Sequence, residues 1–575
     1  MCGIVGIWNQ PNEEIVAKMA RSVEHRGPDG LHWFTKGNNS FGASRLTIVG
    51  DPRGSAIFND RENNTTILLN GEIYNIAILR GELAQNGYTF RTDLESEVVV
   101  KLYIHYGTDF VKHLKGMFAI AIIDGDRLVL ARDRFGIKPL YYTGISDVVL
   151  FGSEIKAILQ HPEARANLDA QAFEEIVVFG YVYSPDRTLF EGIHQVEPGQ
   201  IIIFSKSGQS KTKYWQPLAA SYFDRERHPD FSTALLQMRQ TIIDNVDLVF
   251  KHGDHPKGVY LSGGLDSSIL TLVIRSILGY PVTTFTMADS HENTDFIAAR
   301  QVAQKLGTRH IERIVTVDDY FHRLEHFVRH YESIVAGGVY DIHGGMAFHL
   351  LSETVSDHVK VAFSGEGADE LFGGYYWVYT HPLGFADRIR NRLRPNGGVS
   401  EIHKLVEQLF PLPENELIYR RNLFDALIQG GLANYHLQSV DRSAGAFGFE
   451  IRPAYLFDDL ATFALDLPID YKVPDKRITK WILREAFRPE LEKLGLGWVS
   501  TRLKEGMPAS VSNIAPLVTQ RIEDSISNES LAKHPMRAYL QSKTDMYLFD
   551  VFAKIFLTEA GYAVQDCIPQ QVSSN

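Results

Sequence analysis

Residues 258–268, GVYLSGGLDSS, decide the fold of the second half of the chain. They read as a short apolar strand, a loop of small residues and the first turn of a helix. Small residues let backbone N–H groups approach phosphate oxygens, and the dipole of the following helix favours an anion there. No Gly-Lys-Ser/Thr follows the glycines, so the loop is not of the Walker type. The stretch therefore predicts a phosphate-binding loop after a buried strand.

Outward from this loop, short apolar strands alternate with helical stretches. We expect strands at residues 258–261, 282–286, 309–315 and 359–363, and helices at 267–278 and 295–306. Alternation of this kind predicts an α/β fold with a doubly wound parallel sheet. After about residue 418 the sequence reads as helices without clear strands. We therefore expect one α/β domain with a helical C-terminal part.

The first 200 or so residues have a different pattern. Runs of β-branched and aromatic residues bounded by turns predict strands at 3–8, 66–69, 118–123, 128–132, 148–151 and 200–204, and helices are expected at 76–86 and 95–106. This pattern predicts a strand-rich α+β domain. Because residues 206–231 are polar and irregular, we expect a linker there, with a long surface loop as the alternative. We expect domains at 1–205 and 232–565 and a flexible tail at 566–575.

Composition limits the function further. The chain has 575 residues and a formal net charge of −12, which argues against nonspecific binding of nucleic acid. Its two cysteines, Cys2 and Cys567, exclude a disulfide framework and a thiolate zinc cluster. The sequence has neither a run of ~20 apolar residues nor the pattern of a signal peptide. We therefore expect a soluble cytoplasmic protein that binds neither nucleic acid nor membrane.

Cys2 directly follows the initiator methionine. If Met1 is removed, one residue carries both a thiol and a free α-amine, whose ordinary pKa is about 7.7–8.0. Such an amine takes the thiol proton without help from a histidine, which is the logic of an N-terminal nucleophile. The alternative is that Cys2 is a small residue at the start of a buried strand.

Residues 69–75, LNGEIYN, end a predicted strand with a side-chain amide, a glycine N–H and a carboxylate in succession. Asn70 and Gly71 supply the two kinds of donor that an oxyanion hole needs. The alternative for an Asn-Gly pair is a hairpin turn. Arg45 is suited to holding a carboxylate with two hydrogen bonds. The alternative interpretation is that Arg45 is a surface arginine.

A second loop of glycines and acidic residues, SGEGADELFGGY at 364–375, follows the strand expected at 359–363. Loops after neighbouring parallel strands meet at the carboxyl edge of the sheet, where ligands bind. We expect Asp266 and Asp369 to converge there on Mg²⁺ that bridges nucleotide phosphates. The alternative for Asp369 is a solvated turn.

Together these segments resemble the asparagine synthetase family. The resemblance rests on CGI, HRGPDG, RL, NGEIYN, GMFA, ARDRFGIKPLYY and FGSEIK within residues 1 to about 200, and on SGGLDSS, SGEGADELFGGY and ITKWILR within about 231–506. It implies an N-terminal nucleophile glutaminase domain of layered antiparallel sheets with helices, followed by an ATP-pyrophosphatase synthetase domain. The implied partners are glutamine, ATP, Mg²⁺ and a small carboxylic acid, and a homodimer is a possible assembly.

The resemblance also implies roles for individual residues. Cys2 attacks the glutamine amide, and Asn70 and Gly71 stabilise the oxyanion. Glu366 lies near the activated carboxyl group, and Lys480 neutralises charge that develops on the α-phosphate; the alternative for Lys480 is a solvated lysine on an amphipathic helix. The residues implied to grip glutamine are Arg45, Asn70, Gly71, Glu72 and Glu95. Those implied to contact ATP are Leu261, Ser262, Gly263, Gly264, Asp266, Ser267, Ser268, Met287, Ser364 and Gly365.

Three departures from the family pattern concern the substrates. Glu95 stands where the family usually has an aspartate that binds the glutamine α-amine, and Asp93 is an alternative for that role. In residues 332–345 the arginine expected to pair with a small acidic acceptor is missing, and glycines replace bulkier residues. At 452–458, RPAYLFD replaces the usual RVPFLD. Aspartate is the default acceptor, and a larger or less charged carboxylic acid is the close alternative.

The predicted function is a glutamine-dependent, ATP-using ligase of the asparagine synthetase type. It hydrolyses glutamine at Cys2 and transfers ammonia to an adenylated carboxylate, giving an amide, AMP and pyrophosphate. Closure of an internal amide by the substrate's own amine is one rival, and intact Cys2, Asn70 and Gly71 count against it. A non-enzymatic binding protein is another, and it has no need of both anion loops.

Overall fold

The computed structural model describes residues 1–50, 54–216, 229–334, 342–375, 389, 400–409, 427–475, 478–504, 506–537, 539–540, 542–559, 561 and 563–567. The secondary structure falls into two parts. The strands of the first part are β1 Gly3–Trp8, β2 Gly30–Lys36, β3 Asn39–Arg45, β4 Ile57–Asp60, β5 Thr65–Ile73, β6 Gly116–Asp124, β7 Arg127–Arg132, β8 Tyr141–Ile145, β9 Val148–Gly152, β10 His194–Gln195, β11 Gln200–Ser205 and β12 Gly208–Lys213.

These strands form two six-stranded antiparallel sheets, in the orders β10-β8-β9-β1-β3-β2 and β12-β11-β7-β6-β5-β4. The inner faces of the sheets pack together through apolar side chains such as Ile4 and Leu68. Helix Glu13–Ser22 covers the outer face of the first sheet, and helices Ile76–Gln85 and Glu95–Tyr106 cover that of the second. This part is the predicted α+β domain of layered antiparallel sheets.

The second part contains a five-stranded parallel sheet. Its strands are β13 Lys257–Tyr260, β14 Thr283–Ala288, β15 Arg309–Ile314, β16 Val361–Ser364 and β17 Glu450–Pro453. Their order is β15-β14-β13-β16-β17, so the direction of winding reverses between β13 and β16. Ligands bind at such a switch point, outside the carboxyl ends of the strands. The predicted parallel α/β sheet is confirmed, and the two glycine-rich loops lie at its switch point.

Helices surround this sheet. The main ones are Phe231–Lys251, Leu265–Leu272, Thr294–Leu306, Val317–Tyr331, Ile342–Ser356, Ala368–Phe372, Ser400–Leu409, Leu437–Ala446, Asp458–Asp466, Trp481–Lys493, Ile514–Ser525, Asn528–Lys533 and Lys543–Ala553. Both ends of helix Thr294–Leu306 are marked in the sequence by capping residues. The Asn293 side chain accepts hydrogen bonds from its first N–H groups, and Gly307 ends it with a left-handed φ of 63°.

Two predictions need correction. The region after residue 418 contains a strand, β17, whose residues Glu450 and Arg452 are buried in an ion pair instead of forming an apolar run. The stretch 206–231 does not begin as an irregular linker, because β12 pairs with β11 as an exposed edge strand of polar residues. Residues 217–228 of the expected linker, 335–341 of the glycine-containing segment and 568–575 of the tail lie outside the described residues.

Every helix in the described part of the chain is too short or too polar to cross a lipid bilayer.

Candidate active site

The first candidate site surrounds the start of the chain. The backbone N–H of Cys2 donates to Asn70 Oδ1 at 3.1 Å, and Arg26 Nε donates to the Cys2 carbonyl at 3.1 Å. These two bonds fix the backbone of the cysteine beside β5. Burial raises the pKa of the Cys2 thiol, so the thiol needs a nearby base to become a nucleophile.

Asn70 and Gly71 lie inside β5, opposite β6. The Asn70 side-chain nitrogen donates to Ser153 Oγ at 3.4 Å, which orients the carboxamide. Gly71 has a φ of 149°, and a Cβ atom there would lie 2.0 Å from the Met117 carbonyl oxygen. Only glycine fits this approach of two strands. The hairpin-turn alternative for the Asn-Gly pair is therefore wrong.

Arg45 and the acidic residues near it have clear positions. Arg45 ends β3, is 6% exposed, and donates from Nη2 to the Val49 carbonyl at 3.1 Å. It is therefore not a surface arginine. Of the two candidate carboxylates that follow, Asp93 is exposed, whereas the Glu95 side chain is 11% exposed and faces Glu72.

Glu72 and Glu95 meet at a histidine that the sequence did not single out. His252 Nε2 lies 2.6 Å from Glu72 Oε2 and 3.2 Å from Glu95 Oε1. Burial and the charge of Glu72 raise the pKa of Glu95 to about 7. Burial alone would lower the pKa of His252, but its hydrogen bonds to both carboxylates raise it to about 9. His252 directly follows helix Phe231–Lys251 and lies outside every motif, so only the fold reveals it.

Buried ion pairs join the two parts of the chain beside Cys2. The Arg26 guanidinium lies 2.9 Å from Glu154 and 2.8 Å from Asp441, which belongs to helix Leu437–Ala446 of the second part. Lys138 lies 3.5 Å from Asp441. The arginine that holds the Cys2 carbonyl is therefore itself held by the second part of the chain.

The second candidate site is a cleft of about 810 Å³ at the carboxyl ends of β13 and β16. Its volume lies within the range of about 300–1,000 Å³ typical of ligand pockets. The predicted residues that line it are Leu261, Ser262, Gly264, Asp266, Ser267, Met287, Ser364, Gly365, Glu366, Asp369 and Lys480. Two predicted residues do not line it: Ser268 is fully buried, and Gly263 packs against helix Thr294–Leu306.

Asp266 and Asp369 converge in this cleft, with the Lys480 ammonium between them. Lys480 Nζ lies 2.5 Å from Asp266 Oδ2 and 2.6 Å from Asp369 Oδ1, and Lys504 Nζ lies 2.6 Å from Asp369 Oδ2. Burial alone would raise the pKa of Asp369, but the two lysines hold it well below its usual value. Lys480 is 2% exposed, so the alternative of a solvated lysine is wrong. Asp369 is 8% exposed, so the alternative of a solvated turn is also wrong. Lys504 was missed because no motif surrounds it.

Glu366 shares the cleft with Tyr375 and His436, neither of which was among the predicted site residues. The Tyr375 hydroxyl donates to Glu370 Oε1 at 2.5 Å and lies 3.2 Å from His436 Nε2. Burial raises the pKa of Glu366, and burial together with the charge of Asp369 raises the pKa of Glu370 to about 7. This end of the cleft therefore combines poorly solvated carboxyl groups with aromatic walls.

Comparison with known proteins gives matches to both parts. Residues 1–215 match the family described as glutamine amidotransferase domain, and residues 237–553 match the family described as asparagine synthase. The chain is 34% identical to glutamine-hydrolyzing asparagine synthetase 1 of Bacillus subtilis (strain 168), over 67% of this chain and 60% of that relative. It is 30% identical to asparagine synthetase 3 of the same organism, over 84% of each chain. It is 28% identical to asparagine synthetase 2 of Arabidopsis thaliana, over 98% and 89%.

Proposed function

Because this chain belongs to the asparagine synthase family and carries a glutamine amidotransferase domain, we propose that it uses glutamine and ATP to convert a carboxylic acid into an amide. The proposed division of labour puts glutamine hydrolysis in residues 1–205 and amide synthesis in residues 232–565. One observation carries the proposal: the Cys2, Asn70 and Gly71 cluster and the cleft built on GVYLSGGLDSS occur in one chain, joined by buried ion pairs.

In the glutaminase half, removal of Met1 turns the Cys2 backbone nitrogen into the α-amine. That amine accepts the thiol proton, and the sulfur attacks the carboxamide carbon of glutamine. Gly71 N–H and Asn70 Nδ2 donate to the oxyanion, and each such donor typically lowers the barrier by ~3–4 kcal/mol. Protonated nitrogen leaves as ammonia, and water hydrolyses the thioester. The burial of Glu95 beside Glu72 supports Glu95 over Asp93 as a carboxylate for the glutamine α-ammonium.

In the synthetase half, we propose that ATP occupies the cleft, with its phosphates on the cleft-lining residues of the loop at 262–267 and its adenosine against Leu261, Met287, Ser364 and Gly365. Asp266 and Asp369 are suited to hold Mg²⁺, because Asp266 Oδ1 is buried and accepts no hydrogen bond from a described residue. Bound Mg²⁺ supplies positive charge to the phosphates. Lys480 donates to negative charge that develops on the α-phosphate.

Aspartate is the proposed acceptor, and a second carboxylic acid class is favoured by one observation. Each described lysine or arginine that lines the cleft already has a partner in the chain. Lys480 and Lys504 contact aspartates, Arg484 donates to backbone carbonyls, and Arg502 contacts Asp295. Tyr260, Phe348 and Leu351 add apolar lining. A carboxylic acid with an apolar body, which fits these walls, is therefore the second candidate acceptor after aspartate.

The test supplies the processed protein with ATP, MgCl₂, amide-¹⁵N glutamine and a panel of carboxylic acids that includes aspartate. The proposal predicts a ¹⁵N-labelled amide by mass spectrometry, with AMP and pyrophosphate released in equal amounts. Release of ADP and phosphate, or label transfer to none of the acids, would contradict it. The acid that accepts the label distinguishes aspartate from the apolar class.

A further inference from the structure

His252 connects the two parts of the chain. It follows the C-terminal end of helix Phe231–Lys251 in the second part, yet its ring contacts two carboxylates of the first part. The side chains of His252, Glu72 and Glu95 are 8%, 9% and 11% exposed. We propose that His252 is a positioning residue of the glutamine pocket, which holds Glu72 and Glu95 in place for the substrate's α-ammonium group. This inference rests on the proposed glutaminase function.

The charges around His252 support this positioning role. Glu72 and Glu95 are both within hydrogen-bonding distance of one nitrogen, at 2.6 and 3.2 Å, so their carboxylates are close enough to repel each other. One imidazolium reduces the charge of the pair from two negative charges to one. A single α-ammonium group then neutralises what remains. Without the imidazolium, one carboxyl group would keep its proton and lose its attraction for the substrate.

The backbone and ring of His252 are firmly held. Its carbonyl accepts from Arg452 Nη1 at 2.8 Å, and the same nitrogen donates to the Val249 carbonyl at 2.9 Å. The Tyr74 ring packs edge-on against the imidazole with a centroid distance of 5.3 Å. Arg452 belongs to β17 of the second part. The geometry of the two glutamine-facing carboxylates therefore depends on docking of the second part against the first.

The cluster also predicts a pH dependence. The other titratable groups that face it are Arg452, Glu450, Tyr74, Cys2 and the amino terminus. With a pKa of about 7 for Glu95 and about 9 for His252, Glu95 is ionised and His252 is protonated between these values. Glutamine binding should weaken as the pH falls through 7, because protonated Glu95 no longer pairs with an ammonium group.

The test measures glutamine hydrolysis and ammonia-dependent amide synthesis separately in the full chain. We expect His252→Gln to raise the KM for glutamine at least about tenfold, which corresponds to one lost charge contact. The kcat for hydrolysis and the ammonia-dependent rate should stay unchanged, and the latter also reports that the variant is folded. In the pH profile of kcat/KM for glutamine, the acid limb should move up by about one pH unit. The reason is that the pKa of Glu95 rises when its neighbouring cation is lost. His252→Lys keeps a cation and should recover part of the affinity.

His255→Gln is the matched control, because the described contacts of His255 include neither carboxylate. An unchanged KM and acid limb in His252→Gln would overturn the inference. A lower KM would also overturn it, since His252 would then compete with the substrate. If the processed parent protein hydrolyses no glutamine at all, the proposed function fails, and this inference fails with it.

Discussion

At the scale of single residues, Lys480 has an unusual backbone conformation and places its ammonium group between the two aspartates of the cleft. Its φ of 56° lies in the left-handed region, which costs roughly 1–2 kcal/mol for a residue with a Cβ atom. The ammonium group between Asp266 and Asp369 offsets that cost. We expect Lys480→Met to lower ATP-dependent amide synthesis by about 10²–10³-fold and to leave glutamine hydrolysis unchanged. Release of AMP and of glutamate, measured separately, checks this.

The matched control for that variant is Lys493→Met, at the exposed end of helix Trp481–Lys493, which begins directly after Lys480. It should change neither rate. Equal losses of synthesis in the two lysine variants would show that Lys480 has no special part in the cleft.

At the scale of elements, β5 carries Asn70 and Gly71, the proposed oxyanion donors, and its close contact with β6 requires glycine at position 71. A methyl group there meets the Met117 carbonyl at 2.0 Å, so one strand has to shift. We expect Gly71→Ala to destabilise the chain by about 1–3 kcal/mol in denaturant unfolding and to abolish glutamine hydrolysis. Gly81→Ala is the control, because open space surrounds Gly81 in helix Ile76–Gln85. It should be neutral or stabilising by up to about 1 kcal/mol. Full glutaminase activity in Gly71→Ala would rule out this account of β5.

At the scale of the whole molecule, Asp441 joins the two parts by pairing with Arg26 and Lys138. We expect Asp441→Asn to cost about 3–5 kcal/mol, because it leaves buried cations with one fewer carboxylate. It should also release more glutamate per amide formed, because this ion pair joins the part proposed to release ammonia to the part proposed to use it. Thermal unfolding and the ratio of glutamate to amide measure both effects.

Lys115→Met tests whether any contact between the two parts has that effect. Lys115 lies 3.7 Å from Asp459 across the same two parts, but the pair is 51% and 46% exposed, so its loss should cost less than about 1 kcal/mol. Similar losses in the two variants would contradict a special role for the buried network.

The sequence predicts strands such as β1, β6 and β13 and both glycine-rich loops, because β-branched runs and glycine-rich turns are local patterns. It predicts no strand at β2, β3, β4 or β8. It does not predict β17, in which Glu450 and Arg452 pair with each other while fully buried. It also misses His252 and Lys504, whose partners Glu72 and Asp369 are far away along the chain. Neighbouring residues in the sequence do not indicate such contacts, because only the packed fold brings the partners together.

We propose that Cys2 releases ammonia at one site and that a separate cleft activates the acid that receives it. The most direct measurement follows amide synthesis by the parent protein and by Cys2→Ala, with either glutamine or ammonium as the nitrogen source. We predict that Cys2→Ala loses synthesis from glutamine and keeps synthesis from ammonium. Loss of both activities in a folded variant would contradict the claim, as would full glutamine use by a protein that still carries Met1.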